Sequence, residues 1–342
     1  MKMAVGGIAA LVVAIAIVAI TLGVKSPQSS AENTVRVAFF PNIGHSIAIV
    51  GMEKGTFAEK LGNQTTIETL LFDSGPQVIE SMFANQVDIA YLGPGPAING
   101  FLKSGGKGLK VLAGAASGGV SFVVHPDSKI GSTGDLSGKR VAAPQIGNTQ
   151  DVSLRSFLYQ NNLKPAEKGG SVYVLNIANP DIFTLFGKGD LDAAWVPEPW
   201  ATRLVHKLGG IRLFHEEDLW PDKKFSSAVL IVRSEFLEKH PDVIQKWVEG
   251  HVQTAAWINE HLDETEIIFN NFLKQKTGKT LPPDILHEAF LNLQITTDPI
   301  KSSIYTFAER ANSLGYLGRE GYDLEGIFYT EPLESSQKEI IS

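Results

Sequence analysis

The chain has 342 residues, 43% hydrophobic and 20% charged, with 30 Lys and Arg against 37 Asp and Glu, a formal net charge of −7. This is the make-up of a globular protein long enough for two domains and a substantial core; the acidic balance lacks the basic patch that nucleic-acid binding requires. The absence of cysteine excludes disulfides, cysteine nucleophiles, thiolate metal sites and lipid attachment through a cysteine.

The first stretch is unlike the rest. Met3–Val24 is 22 residues without a charge, preceded by Lys2 and followed by Lys25. At about 1.5 Å per helical residue it reaches across a hydrocarbon core of about 30 Å. It is longer than the roughly 7–15 apolar residues of a cleavable signal. Residues 1–31 therefore read as a signal or membrane-anchor helix. Two outcomes stay open: an uncleaved transmembrane tether, or cleavage at the small-x-small site that Ser29 and Ala31 form in "SSAE". Either one predicts that the body lies outside the cytoplasm, on the cell surface or in the periplasm.

From residue 34, short apolar runs alternate with amphipathic segments. Strands are predicted over Val35–Phe40, Thr66–Phe72, Val87–Leu92, Leu109–Ala113, Ser121–Val124, Lys139–Ala142, Ser171–Leu175, Ala193–Val196 and Ser226–Val232. Helices fall between most of them, a βαβα rhythm that predicts α/β architecture with largely parallel sheets. After Ser234 the rhythm gives way to helix after helix, with starts near Pro241, Asp263, Pro282 and Asp298. That segment, to about Gly315, is expected to pack on an existing sheet. From Glu334 onward the chain reads as a loose tail.

A weak internal repeat runs through the body. "GPQVIESMFANQVDIAYL" (75–92) and "NPDIFTLFGKGDLDAAWV" (179–196) align without gaps at an offset of 104, matching Pro76 to Pro180, Asp88 to Asp192 and Ala90 to Ala194. Any two helix–strand units share some of this. The alternative is a pair of similar lobes whose strand ends face each other across a cleft, the edge where open α/β sheets bind ligands.

Six turn-rich segments follow predicted strands: "PNIGHS" (41–46), "DSGP" (73–76), "GPGP" (93–96), "ASGG" (116–119), "IGNTQD" (146–151) and "PEPW" (197–200). Glycine allows close backbone approach and proline fixes a loop. A helix start leaves N–H groups unpaired and carries partial positive charge, so such segments hold anions without a formal cation. In "PQIGNTQDVSLR" (144–155) Asn148 or Thr149 can cap the helix, and Asp151 at N3 can reach back in a capping box. Thr149 and Gln150 would then offer donors to an anion. "ASGG" reads as a hinge or a plain loop. "PEPW" offers Trp200 as an apolar wall and Glu198 as a partner for a cation. His45 is the histidine of a candidate pocket segment. The sequence contains no H-E-x-x-H, no G-x-S-x-G and no phosphate-loop lysine, so no catalytic residue, metal site or cofactor is assigned.

The ordered run "FFPNIGHSIAIVGMEKGTFAEKLG", "FDSGPQVIESMFANQVDIAYLGPGPAINGF", "AGAASGGVSFVV", "LSGKRVAAPQIGNTQDVSLRSFL" and "DAAWVPEPWATRL" resembles the nitrate, aliphatic-sulfonate and taurine group of solute-binding proteins from ABC importers, over roughly residues 34–330. The resemblance implies a two-lobed, periplasmic-binding-protein-like fold of type II with a hinge. Lobe 1 would be 34–118 with 230–330, lobe 2 would be 119–229, and 331–342 a C-terminal tail. It implies capture of a small-molecule anion without chemistry, delivery to an ABC permease, and a monomer. The site it implies comprises Asn42, Gly44, His45, Ser74, Gly75, Gly93, Pro94, Ser117, Gly118, Asn148, Thr149, Gln150, Glu198 and Trp200. A sulfonate is the favoured ligand; taurine would need Asp73, Asp151 or Glu198 for its amine, and a pyrimidine would stack on Tyr91 or Trp200. The thiamine-pyrimidine synthases share this fold, but their cysteine-rich motif has no counterpart here.

Overall fold

A computed structural model describes residues 33–318 and 321–341. The expected signal or anchor helix at 1–31 lies outside those residues. Among the described residues no helix is long and apolar enough to cross a membrane.

Eleven strands are described: β1 (Asn33–Phe39), β2 (Thr65–Leu71), β3 (Ile89–Leu92), β4 (Leu109–Gly118), β5 (Val120–Val124), β6 (Arg140–Ala143), β7 (Tyr173–Asn176), β8 (Ala193–Pro197), β9 (Ile211–His215), β10 (Ser226–Arg233) and β11 (Leu293–Ile295). They form two sheets, ordered β11-β4-β10-β3-β1-β2 and β7-β6-β8-β5-β9. Each sheet has a parallel triplet, β2-β1-β3 in one and β7-β6-β8 in the other, bordered by an antiparallel strand, β10 or β5. The sheets are thus mixed rather than largely parallel. The antiparallel members are strands by which the chain passes between the two sheets.

Helices cover both sheets. They are α1 (Ser46–Glu53), α2 (Thr56–Leu61), α3 (Gly75–Phe83), α4 (Pro94–Lys103), α5 (Thr149–Gln160), α6 (Asn179–Gly187) and α7 (Trp200–Leu208), then α8 (Ser234–Lys239), α9 (Pro241–Glu260), α10 (Leu262–Thr277), α11 (Pro283–Leu291), α12 (Lys301–Ser313) and α13 (Glu331–Ile341). The expected loose tail from Glu334 is in fact most of α13. Its Leu333 is 4% exposed in the core of the first sheet, and its Ser336 hydroxyl accepts from Gln245 of α9 at 3.2 Å.

The repeat of 104 residues is structural. The Arg36 backbone N–H and Nε both donate to the Asp88 carboxylate, at 3.0 and 2.8 Å. Arg140 and Asp192 do the same in the other sheet, at 2.7 and 3.4 Å. The guanidinium of Arg36 also reaches the carbonyl of Asn85, and that of Arg140 the carbonyl of Gly189. Strand register repeats too: Val37 and Ala38 face Ile89 and Ala90, as Val141 and Ala142 face Ala193 and Ala194.

One passage between the sheets is the step from β4 to β5, where Gly118 (φ 75°) and Gly119 (φ 71°) lie consecutively in the left-handed region. Glycine adopts this conformation without the Cβ clash that other side chains meet. The chain returns to the first sheet at Ser226, at the start of β10. In the first sheet's core, Phe57 stacks on Trp247 at 4.1 Å. Tyr91 is fully buried there, its hydroxyl 3.0 Å from His251 Nδ1, so it has no face to offer a ligand.

Candidate functional site

Five helices of nine residues or more begin beside the cleft between the sheets: α3 at Gly75, α4 at Pro94, α5 at Thr149, α6 at Asn179 and α7 at Trp200. Each follows a strand directly, because proline or a small polar residue ends the strand and frees the first helical N–H groups. α3, α4 and α6 carry proline in the first turn, where its missing N–H costs nothing. The first N–H groups of each helix have no intrahelical acceptor, and each start adds partial positive charge.

A cavity of about 60 Å³ lies at the starts of α4, α5 and α6. Asn42, Gly44, His45, Gly93, Gly118, Asn148, Thr149, Gln150 and Glu198, all predicted site residues, line it. Trp200 lines a second, wider cavity that opens from the first. Four predicted residues line neither. Ser117 belongs to β4, which continues through Gly118 instead of ending at Ala113, and it pairs there with Ser226 and Gln294. Ser74 is fully buried at the start of α3. Gly75 and Pro94 are the first residues of α3 and α4, Gly75 packed on Pro96.

Thr149 links the lobes at the cavity itself. The Gly95 N–H donates to Thr149 Oγ1 at 3.2 Å, from one lobe to the other. A Cβ on Gly93 would lie 2.2 Å from the same oxygen. Glycine at 93 is therefore what lets the two strand ends come this near. On the other side of the cavity, Trp200 Nε1 donates to Asn42 Oδ1 at 3.3 Å. Asn148 holds the N-cap position of α5 with an extended backbone, but its side chain makes no cap hydrogen bond. It remains directed to the cavity.

Among the described residues no lysine or arginine lines the inner cavity. His45 does not supply a charge either. It is 5% exposed, and burial pushes its imidazole pKa down to about 3. Its Nδ1 accepts from the Phe40 N–H at 3.3 Å, which leaves the ring proton on Nε2.

The carboxylates are mostly spent. Asp151 accepts from the Gly147 N–H at 3.0 Å, Arg155 Nε at 2.7 Å, Asn176 Nδ2 at 2.8 Å and the Tyr316 hydroxyl at 2.8 Å. It is fully buried and does not line the cavity. The expected capping box is thus replaced by a reach to Gly147 and an ion pair with Arg155. Glu198 reaches the cavity wall but accepts from the Thr202 N–H and hydroxyl, Arg212 and Asn292, at 3.0, 3.0, 3.1 and 2.8 Å. Its cation is Arg212 of its own lobe. Burial pushes its carboxyl pKa up, against those four donors. Asp73 lines both cavities and is exposed.

Asn179 and Ser227 line the inner cavity without having been expected there. Asn179 is the repeat partner of Gly75, so the 104-residue alignment already pointed to it. One polar end of its amide is buried without a partner. Ser227 had no signal in the sequence; it reaches the site because β10 enters the first sheet there.

Three comparisons with known proteins bear on this geometry. The model of the NMT1-like family matches residues 28–269. A binding protein of Brucella abortus is 28% identical over 263 residues, covering 74% of this chain and 78% of its own. The taurine-binding periplasmic protein of Escherichia coli is 30% identical over 205 residues, 60% of this chain and 61% of its own. Among solved structures, the alkanesulfonate-binding protein of Xanthomonas axonopodis bound to MOPS superposes with a TM-score of 0.70 at 17% identity, covering 84% of this chain and 94% of that one. The periplasmic nitrate-binding protein of Synechocystis superposes with a TM-score of 0.75 at 15% identity, covering 90% and 89%. These likenesses establish the two-sheet α/β fold of periplasmic binding proteins.

Proposed function

The chain belongs to the NMT1-like family, and from that premise we propose that it is a solute-binding protein outside the cytoplasm that captures a small organic anion, sulfonate in type, and hands it to an ABC permease. The observation that carries this reading is a cavity lined at the starts of α4, α5 and α6 by Gly93, Asn148, Thr149 and Asn179, with no lysine or arginine among the described residues that line it. Fixed N–H dipoles stabilise an anion without the desolvation cost of a buried cation. The names of its relatives, taurine-binding and alkanesulfonate-binding, agree in ligand class.

Binding is capture without chemistry. Lobe 1 (34–118 with 230–330) and lobe 2 (119–229) turn about the Gly118–Gly119 crossing. The anion draws donors from both, so it binds the closed form better and shifts the population toward it. Asn42, Gly44, His45 and Gly93 act from one lobe, and Asn148, Thr149 and Gln150 from the other. A ligand amine, as in taurine, meets Asp73, since Asp151 and Glu198 are engaged. Residues 1–31 tether the body to the membrane.

The test is a thermal-shift series on the purified protein with alkyl sulfonates, taurine, sulfate, nitrate and a thiamine pyrimidine. A sulfonate at 100 times its Kd adds about 2.7 kcal/mol, and Thr149→Ala abolishes most of that gain. Stabilisation by the pyrimidine alone would sink the anion reading.

A further inference from the structure

The cleft continues beyond its inner chamber. A second cavity of about 550 Å³ opens from it, with Phe40, Asn42, Asp73 and Asn179 as the shared wall. That volume lies in the range of roughly 300–1,000 Å³ that sites for drug-sized ligands occupy. Nitrate or a one-carbon sulfonate would leave it to water.

Its walls are aromatic on both sides. Phe40 and Phe72 follow β1 and β2 in one lobe; Phe183 and Trp200 come from α6 and α7 in the other. Phe183 and Trp200 meet edge to face at 6.4 Å. The Arg203 guanidinium lies 4.5 Å from the Phe183 ring centre and 4.2 Å from that of Trp200. Burial lowers its pKa and no carboxylate opposes the effect. Lys279 and Asp73 complete the charged lining, so the chamber has two cations against one anion.

We propose that the protein's ligand is an aromatic anion, with its anionic head in the inner chamber and its ring in the outer one. This rests on the anion reading of the inner chamber. A ring held between Phe40 and Phe72 on one side and Phe183 and Trp200 on the other finds edge and face partners at once. The Arg203 cation adds attraction to its face. Because the two walls belong to different lobes, the ring also gains contacts only when the cleft closes, which couples its burial to closure.

Titration calorimetry with methanesulfonate and naphthalene-2-sulfonate, which share one head group, tests this. The naphthalene compound is expected to bind about 100-fold more tightly. Phe183→Ala and, from the opposite wall, Phe72→Ala should each reduce that affinity about tenfold while leaving methanesulfonate unchanged. Equal affinity for the two sulfonates, or a naphthalene affinity indifferent to both variants, overturns the aromatic assignment alone. If neither sulfonate binds, the anion reading falls with it.

Discussion

Thr149 both starts α5 and accepts the Gly95 N–H from across the cleft, so one residue lines the cavity and joins the two sides of it. Its role was legible, because a cap followed by an amphipathic run is a local signal. The partners of the neighbouring carboxylates were not. Asp151 and Glu198 sat in candidate segments, but their engagement by Arg155 and Arg212 depends on side chains that no local pattern places. His45 shows the same limit: its segment was found, but its neutral state follows from burial. Since burial holds its pKa near 3, it is uncharged from pH 5.5 upward. Sulfonate affinity should therefore change less than about twofold between pH 5.5 and 8.5, measured by calorimetry. Were protonated His45 the anchor, affinity would fall about tenfold per pH unit above its pKa.

At the scale of elements, nine strands and the helix-rich C-terminal segment were legible from periodicity. β9 and β11 were not. β11 is three residues long, and both lie at sheet edges, where only one neighbour is required and burial leaves little pattern. β4 also runs five residues past its expected end, because "GAASG" has small side chains and its pairing with β10 and β11 holds it extended. The glycines that follow make a direct prediction. A Cβ at Gly119 would lie 2.7 Å from that of Leu293, and its φ is 71°. Gly119→Ala should destabilise the protein by about 1–2 kcal/mol or more, read by denaturant unfolding. The C-terminal helix makes another. Leu333 is buried in the main core, so Leu333→Ala should cost about 2–5 kcal/mol. A change near zero in chemical denaturation would mean that α13 is the loose tail its composition suggests.

At the scale of the whole molecule, a buried chain links the first sheet to the long helix α9. The Tyr91 hydroxyl lies 3.0 Å from His251 Nδ1, and His251 Nε2 lies 2.8 Å from the Gly114 carbonyl. With Nε2 donating to that carbonyl, Nδ1 is the acceptor, so the ring is neutral. Burial holds its pKa down at about 4. The unfolded chain thus binds a proton near pH 6.5 that the folded one refuses until about 4, and stability falls as pH drops through that window. His251 alone should contribute about 3 kcal/mol to that loss. His251→Gln should flatten the slope of unfolding free energy between pH 6.5 and 4, even though it lowers stability at neutral pH. The sequence by itself determined the α/β class and picked out most of the loops that line the cavity, because these rest on periodicity, capping and glycine or proline within a few residues of each other; it left the repeat open, which the matching Arg36–Asp88 and Arg140–Asp192 contacts decided. Only the tertiary structure decided which carboxylates are spent, that the histidine is neutral, and that Asn179 and Ser227 join the cavity. Those outcomes depend on burial and on partners tens or hundreds of residues away, and a linear pattern does not encode which distant groups meet.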